Sequence, residues 1–156
     1  MTLTKKEQSL LKDLQNEEKV CAEKYHKAAE CACDPKLQQI FTKLEQAERN
    51  HYDTVTQMLS GTVPQMQTQG KAQNQKGKQP AAQDLKSKVS RAEKKSDAYL
   101  LADVLATEKF VSGVYNTAVF EFNDPQARDV LAAIQQQEQQ HGKEIADYMS
   151  ANGMYC

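Results

Sequence analysis

The sequence predicts an all-α fold: a four-helix bundle made of two repeated helical hairpins, with a long crossover between helices 2 and 3. Three observations lead there. The 156-residue chain is rich in Gln, Lys, Glu, Ala and Leu and holds only six Gly, four Pro and no Trp, a composition that favours helix. Shifting the sequence by ninety places "EKVCAEKYHKAAECACDP" (18–35) on "EKFVSGVYNTAVFEFNDP" (108–125) without a gap. In both copies an Asp-Pro pair separates two stretches of helical periodicity, so each copy is a hairpin.

The repeat defines the elements in order. Asp34-Pro35 and Asp124-Pro125 each read as a helix start, with Asp as the cap and Pro at the first helical position. The preceding helix must stop there, because a residue before Pro disfavours the α conformation. Helix 1 is therefore expected from about Thr4 to Cys33, and helix 2 from Pro35 to about Ser60, closed by Gly61. Helix 4 is expected from Pro125 to about Ala151, with Asn152-Gly153 as its stop. Helix 3 ends near Asn123. Its apolar stripe continues backwards through Ala92, Val89 and Leu85, so a helix from Asp84 with a bend or break near Ser96 is expected. The whole is read as one domain: hairpin 4–60, crossover 61–83, hairpin 84–151 and a short tail 152–156.

The crossover is rich in Gln, Gly and Lys, and residues 61–96 carry eight basic side chains against Asp84 and Glu93. Such a stretch reads as a solvated loop, or as a contact arm or cross-linking tail. It is far longer than an antiparallel hairpin needs, and long enough to cross a bundle. A net charge of −1 argues against nucleic acid as a partner. No apolar run reaches membrane-spanning length, and the charged, amphipathic "MTLTKKEQSLLKDL" is unlike a signal peptide.

Each helix carries one apolar stripe with one interruption. The stripe of helix 1 is Leu11, Leu14, Glu18, Cys21, Tyr25, Ala28, Ala32, and that of helix 2 is Leu37, Phe41, Leu44, Glu48, His51, Val55, Met58. Helix 3 gives Leu101, Val104, Glu108, Val111, Tyr115, Ala118, Phe122, and helix 4 gives Leu131, Ile134, Glu138, His141, Ile145, Tyr148. Glu18 lies sixteen residues before Asp34 and Glu48 fourteen after it, or about 24 and 21 Å along antiparallel helices. Glu108 and Glu138 stand in the same relation to Asp124. The six polar side chains are thus expected in one mid-bundle layer.

Four uncompensated carboxylates in a core would repel one another and lose their hydration. A pair of divalent ions removes that conflict. One Glu from each of two helices with Glu-x-x-His from each of the other two is the ligand pattern of ferritin-like di-metal bundles. Oxygen donors with few imidazoles suit two Fe or Mn ions. The alternative is a buried Glu–His hydrogen-bond network without metal. Glu17, Glu45 and His26 fall outside the stripes, and Tyr25 and Tyr115 read as core aromatics, one of which could hydrogen-bond a ligand as a second shell. Cys21 reads as a small core residue. Cys31, Cys33 and Cys156 form no Cys-x-x-Cys pair, which leaves free thiols and cross-links both open.

Residues 108–155 resemble the spore coat protein F family of endospore-forming bacteria, through "YNTA", "EF-x-DP" and the closing "EQQHG" to "NGMY" run. The first hairpin is a weaker copy. The resemblance implies a ferritin-like bundle in the spore coat, made in the mother-cell cytoplasm, with a structural role, other coat proteins as partners, and self-association. An alternative is a di-iron or di-manganese oxidoreductase, ferroxidase or peroxidase-like, that protects the spore. The looser likeness to ferritins and rubrerythrins implies that Glu48 and Glu138 bridge two metals, that Glu18 and Glu108 are terminal ligands, and that His51 and His141 bind one metal each. The coat resemblance also implies that Cys31, Cys33 and Cys156, expected at one pole, form disulfides within or between chains.

Overall fold

The computed structural model describes residues 1–65 and 81–155. They form four helices: α1 (Lys5–Cys31), α2 (Pro35–Leu59), α3 (Arg91–Glu121) and α4 (Pro125–Ala151). α1 packs on α2 and α3 on α4, and the two hairpins meet mainly through α1 against α3. The result is a four-helix bundle of two hairpin pairs.

The Asp-Pro reading holds at both turns. Asp34 accepts from the Lys36 amide and Asp124 from the Ala127 amide, each with Pro at the first helical position. α1 stops at Cys31, two residues short of the expected Cys33, and Ala32 is already extended (φ −63°, ψ 136°). Gly61 and Gly153 follow α2 and α4 with φ of +88° and +67°, the left-handed conformation that ends a helix at little steric cost to glycine.

The start of α3 differs from expectation. No helix begins at Asp84 and none breaks at Ser96. Residues 82–85 form a turn, and α3 begins at Arg91 and runs unbroken. Ser90 and Glu93 make a capping box: Ser90 Oγ accepts from the Glu93 amide, and Glu93 accepts from the Ser90 amide. That box satisfies two otherwise orphaned amides and sets the start. Leu85 still packs against the core, but from the turn, where its carbonyl accepts from Asn152 Nδ2 at 2.9 Å.

The connection runs between opposite poles. Gly61 meets Met1 beside the start of α1, whereas the Ser87 amide donates to Asn152 Oδ1 at the end of α4. α1 and α4 therefore run in the same direction, as do α2 and α3. Residues 66–80 of the expected crossover lie outside the described residues.

Every stripe residue read from the sequence between Leu11 and Tyr148 is buried, apart from the backward extension of the helix 3 stripe, where Leu85 and Val89 are half-buried and Ala92 is exposed. The apolar ones separate into two clusters. One joins Leu11, Leu14, Val55, Met58, Tyr115 and Leu131, and the other Tyr25, Phe41, Leu44, Leu101, Ile145 and Tyr148. On α2, α3 and α4 the stripe Glu and His residues fall between the clusters; on α1, Cys21 joins the first cluster from beyond Glu18. The polar layer thus sits at mid-bundle, enclosed by apolar packing above and below.

Candidate metal centre

Glu18, Glu48, His51, Glu108, Glu138 and His141 meet in that layer, each at most 8% exposed. Their ligand atoms form two overlapping sets, each within 4.8 Å: Glu18, Glu48, His51 and Glu138, and Glu48, Glu108, Glu138 and His141. Glu48 and Glu138 belong to both sets. Glu18 and Glu108 belong to one each, as do the two histidines.

The sets mirror each other under the ninety-residue repeat. His51 Nδ1 lies 2.9 Å from Glu138 Oε1, 3.1 Å from Glu48 Oε2 and 3.5 Å from Glu18 Oε2. His141 Nδ1 lies 2.9 Å from Glu48 Oε1 and 3.5 Å from both Glu108 Oε1 and Glu138 Oε2. The imidazoles stack loosely, with ring centroids 5.7 Å apart and planes 17° from parallel. Behind the carboxylates, Tyr25 donates to Glu108 Oε1 and Tyr115 to Glu18 Oε1. Both tyrosines therefore support a ligand, and each supports the one on the other hairpin, because α1 and α3 are antiparallel neighbours.

Ordinary hydrogen bonding leaves the layer incomplete. Glu18 Oε2, Glu108 Oε2 and both oxygens of Glu138 are buried and accept no hydrogen bond. Glu138 Oε1 is close to His51 Nδ1, yet Nδ1 directs its hydrogen bond to Glu48. Unpartnered buried carboxylate oxygens are costly, and Glu18 Oε2 and both oxygens of Glu138 lie within 3.5 Å of a layer imidazole. Electrostatics express the same conflict. Burial pushes the Glu18 carboxyl up to about 8 and the Glu108 carboxyl up to about 10. Burial acts in the same sense on Glu48 and Glu138, but the imidazoles of His141 and His51 beside them outweigh it and hold both below the usual carboxylate range. Burial disfavours the imidazolium forms too. Even so, the carboxylates around them raise His51 well above its usual value, and His141 to about 11.

Without an ion, Glu18, Glu108 and the two imidazoles are thus driven to hold protons, which offset the charge of Glu48 and Glu138. Four carboxylates with two neutral imidazoles carry four negative charges, which two divalent ions balance. The donor set and the orphaned oxygens fit such a pair.

The remaining candidates separate clearly. Glu17 and Glu45 are half-buried and His26 is exposed, with Glu45 paired to Arg49 and His26. Cys21 is buried in the core, where burial raises its thiol far above the usual range. The expected disulfides are not found among the described residues. Cys31 and Cys33 are free thiols, one ending α1 and the other held in the turn by its amide, which donates to Asp97 Oδ1 at 2.7 Å. Cys156 lies outside the described residues.

Residues 96–155 match the family model of the Coat F domain. The second hairpin is thus similar to the Coat F domain over most of its length. The matched segment supplies Glu108, Glu138, His141 and Tyr115, while Glu18, Glu48 and His51 come from the preceding repeat copy. The search of curated proteins and that of solved structures gave no match to the chain. Among the described residues no helix is long and apolar enough to cross a membrane.

Three supporting contacts lay outside the sequence reading. Asp97 accepts from the Cys33 and Asp34 amides at 2.7 and 3.1 Å. Its repeat partner Glu7 accepts from the Asn123 amide at 3.0 Å. Each hairpin's first helix thus caps the other hairpin's turn, and the ninety-residue offset of Glu7 and Asp97 was the available signal. Gln137, whose Oε1 accepts from His51 Nε2 at 2.8 Å, has no repeat partner of its kind and so gave no signal.

Proposed function

We propose that the chain is a structural component of the spore coat whose bundle is closed by a di-metal carboxylate centre. The Coat F match supports the place in the coat, with other coat proteins and further copies of this chain as partners. The observation that carries the metal reading is the pair of overlapping ligand sets sharing Glu48 and Glu138. In this reading Glu48 and Glu138 bridge, Glu18 and His51 complete one position, and Glu108 and His141 complete the other. Oxygen-rich donors suit iron or manganese. When bound, the ions join four helices that otherwise meet through a layer of conflicting charges.

A second reading is a di-iron or di-manganese oxidoreductase, ferroxidase or peroxidase-like, that protects the spore. One observation favours it: a cleft of about 920 Å³ reaches His141, so one metal position has an approach from solvent. Such ions would supply redox equivalents, and the cleft would bring the oxidant to them.

Elemental analysis after reconstitution with Fe(II) or Mn(II) tests both readings. Two ions per chain with a raised melting temperature and no consumption of Fe(II) or peroxide support the structural role. Turnover supports the oxidoreductase. A metal content near zero overturns the di-metal centre.

A further inference from the structure

The two halves of the centre follow the repeat in every ligand but differ behind the imidazoles. His51 Nε2 donates to Gln137 Oε1 at 2.8 Å. The repeat equivalent of Gln137 is Ala47, whose methyl group offers no acceptor. Among the described residues no side chain accepts from His141 Nε2; the contacts of that ring run through Nδ1. Surroundings differ as well. His141 forms part of the cleft wall with Gln136, Gln137, Gln140, Lys43 and Glu144, whereas His51 does not line it. His141 is 8% exposed against 3% for His51.

We propose that the two metal positions are unequal: a tight, enclosed one on His51, and an exchangeable one on His141 that a hydrated divalent cation reaches through the glutamine-lined cleft. The proposal rests on the di-metal reading above and makes Gln137 a positioning residue. Its acceptor oxygen keeps a proton on Nε2 and fixes the ring, so Nδ1 already points at Glu18, Glu48 and Glu138 and gives up its own proton when an ion binds. A ligand held by such an outer partner binds metal about 10- to 100-fold more tightly than one without it. Among the described residues His141 has no such partner, so its ring would be ordered chiefly by the ion. On the approach, carboxamide oxygens and the Glu144 carboxylate replace part of the hydration shell. The Lys43–Glu144 ion pair, at 2.8 Å, stands on this path.

Titrating the metal-stripped full chain with Co(II), followed by visible absorption and calorimetry, tests this. Two steps are expected, the first at least about 10-fold tighter, and EDTA should strip one ion well before the other. Gln137→Ala should weaken the first step about 10- to 100-fold and leave the second in place, while Gln137→Glu, which keeps an acceptor, should restore it. Ala47→Gln should tighten the second step and slow loss of the exchangeable ion. That variant removes no native contact, so it decides the matter even if Gln137→Ala fails to fold. Two ions of equal affinity, unmoved by either substitution, would overturn the inequality while leaving the di-metal centre standing. No bound cobalt at all would overturn the centre, and this inference with it.

Discussion

At the scale of single residues, the shared ligands separate from the terminal ones by what their loss removes. Glu138→Gln takes a donor from both ligand sets and should reduce bound metal from two ions per chain to none or one weakly held. Glu18→Gln touches one set and should leave one ion in place. Metal content of the purified variants after reconstitution checks this, and equal losses from both would count against bridging by Glu138. Tyr115→Phe strips the hydrogen bond from buried Glu18 and should cost about 1–2 kcal/mol in urea unfolding, with metal stoichiometry unchanged. The convergence of the six polar side chains was legible in the sequence because each interrupts an otherwise apolar stripe, and the stripe fixes both face and height. The tyrosine partners were only half legible. Periodicity on one helix shows that Tyr25 and Tyr115 face inward, but not which neighbouring helix they reach across to. Gln137 was not legible at all, since a half-buried Gln on a Gln-rich helix looks like any solvent-facing one.

At the scale of elements, the hairpin turns are held from outside the hairpins. Asp97 sits on α3, is fully buried, and receives two amides of the turn between α1 and α2. Asp97→Ala leaves both amides without that acceptor, and should destabilise the fold by about 2–3 kcal/mol in urea unfolding. By contrast, Ser90→Ala removes a helix cap at the surface and should cost about 1 kcal/mol. If the two variants proved equally mild, the cross-hairpin clasp would be no more than a surface contact. Three of the four helices were legible to within two residues, because the Asp-Pro pairs that bound them are local chemistry. The start of α3 was misread for a physical reason. Leu85 and Val89 extend the apolar stripe by spacing alone, yet the Ser90–Glu93 box stops the helix, and Leu85 reaches the core from a turn. Asp97, beside the break expected at Ser96, lies within an unbroken helix and serves as a buried acceptor for another element.

At the scale of the whole molecule, the proposed centre would couple folding, metal and protons. In the metal-free chain four groups at the layer hold protons they would lose in water: Glu18, raised to about 8, Glu108, to about 10, His141, to about 11, and His51, higher still. A group raised above its unfolded value stabilises the fold below that unfolded value, and the contribution fades as pH climbs through the folded one. The carboxyl contributions fade from about 4.5 upward and the imidazole contributions from about 6.5 upward. The metal-free protein should therefore melt at progressively lower temperature from pH 6 to pH 10. Glu48 and Glu138 are depressed, so their contributions have the opposite sign and are lost in acid. Divalent ions need the ligands deprotonated. Ions entering at pH 7 should then displace protons from the groups whose pKa is raised, Glu18, Glu108, His51 and His141. Metal affinity should rise with pH across the range in which the metal-free fold weakens, so the gain in melting temperature on adding Mn(II) should be larger at pH 8 than at pH 6. Thermal melts with and without Mn(II), together with proton release into a weakly buffered indicator solution, measure both quantities. A metal effect independent of pH, or binding without release of protons, would show that the ions sit elsewhere than in this layer.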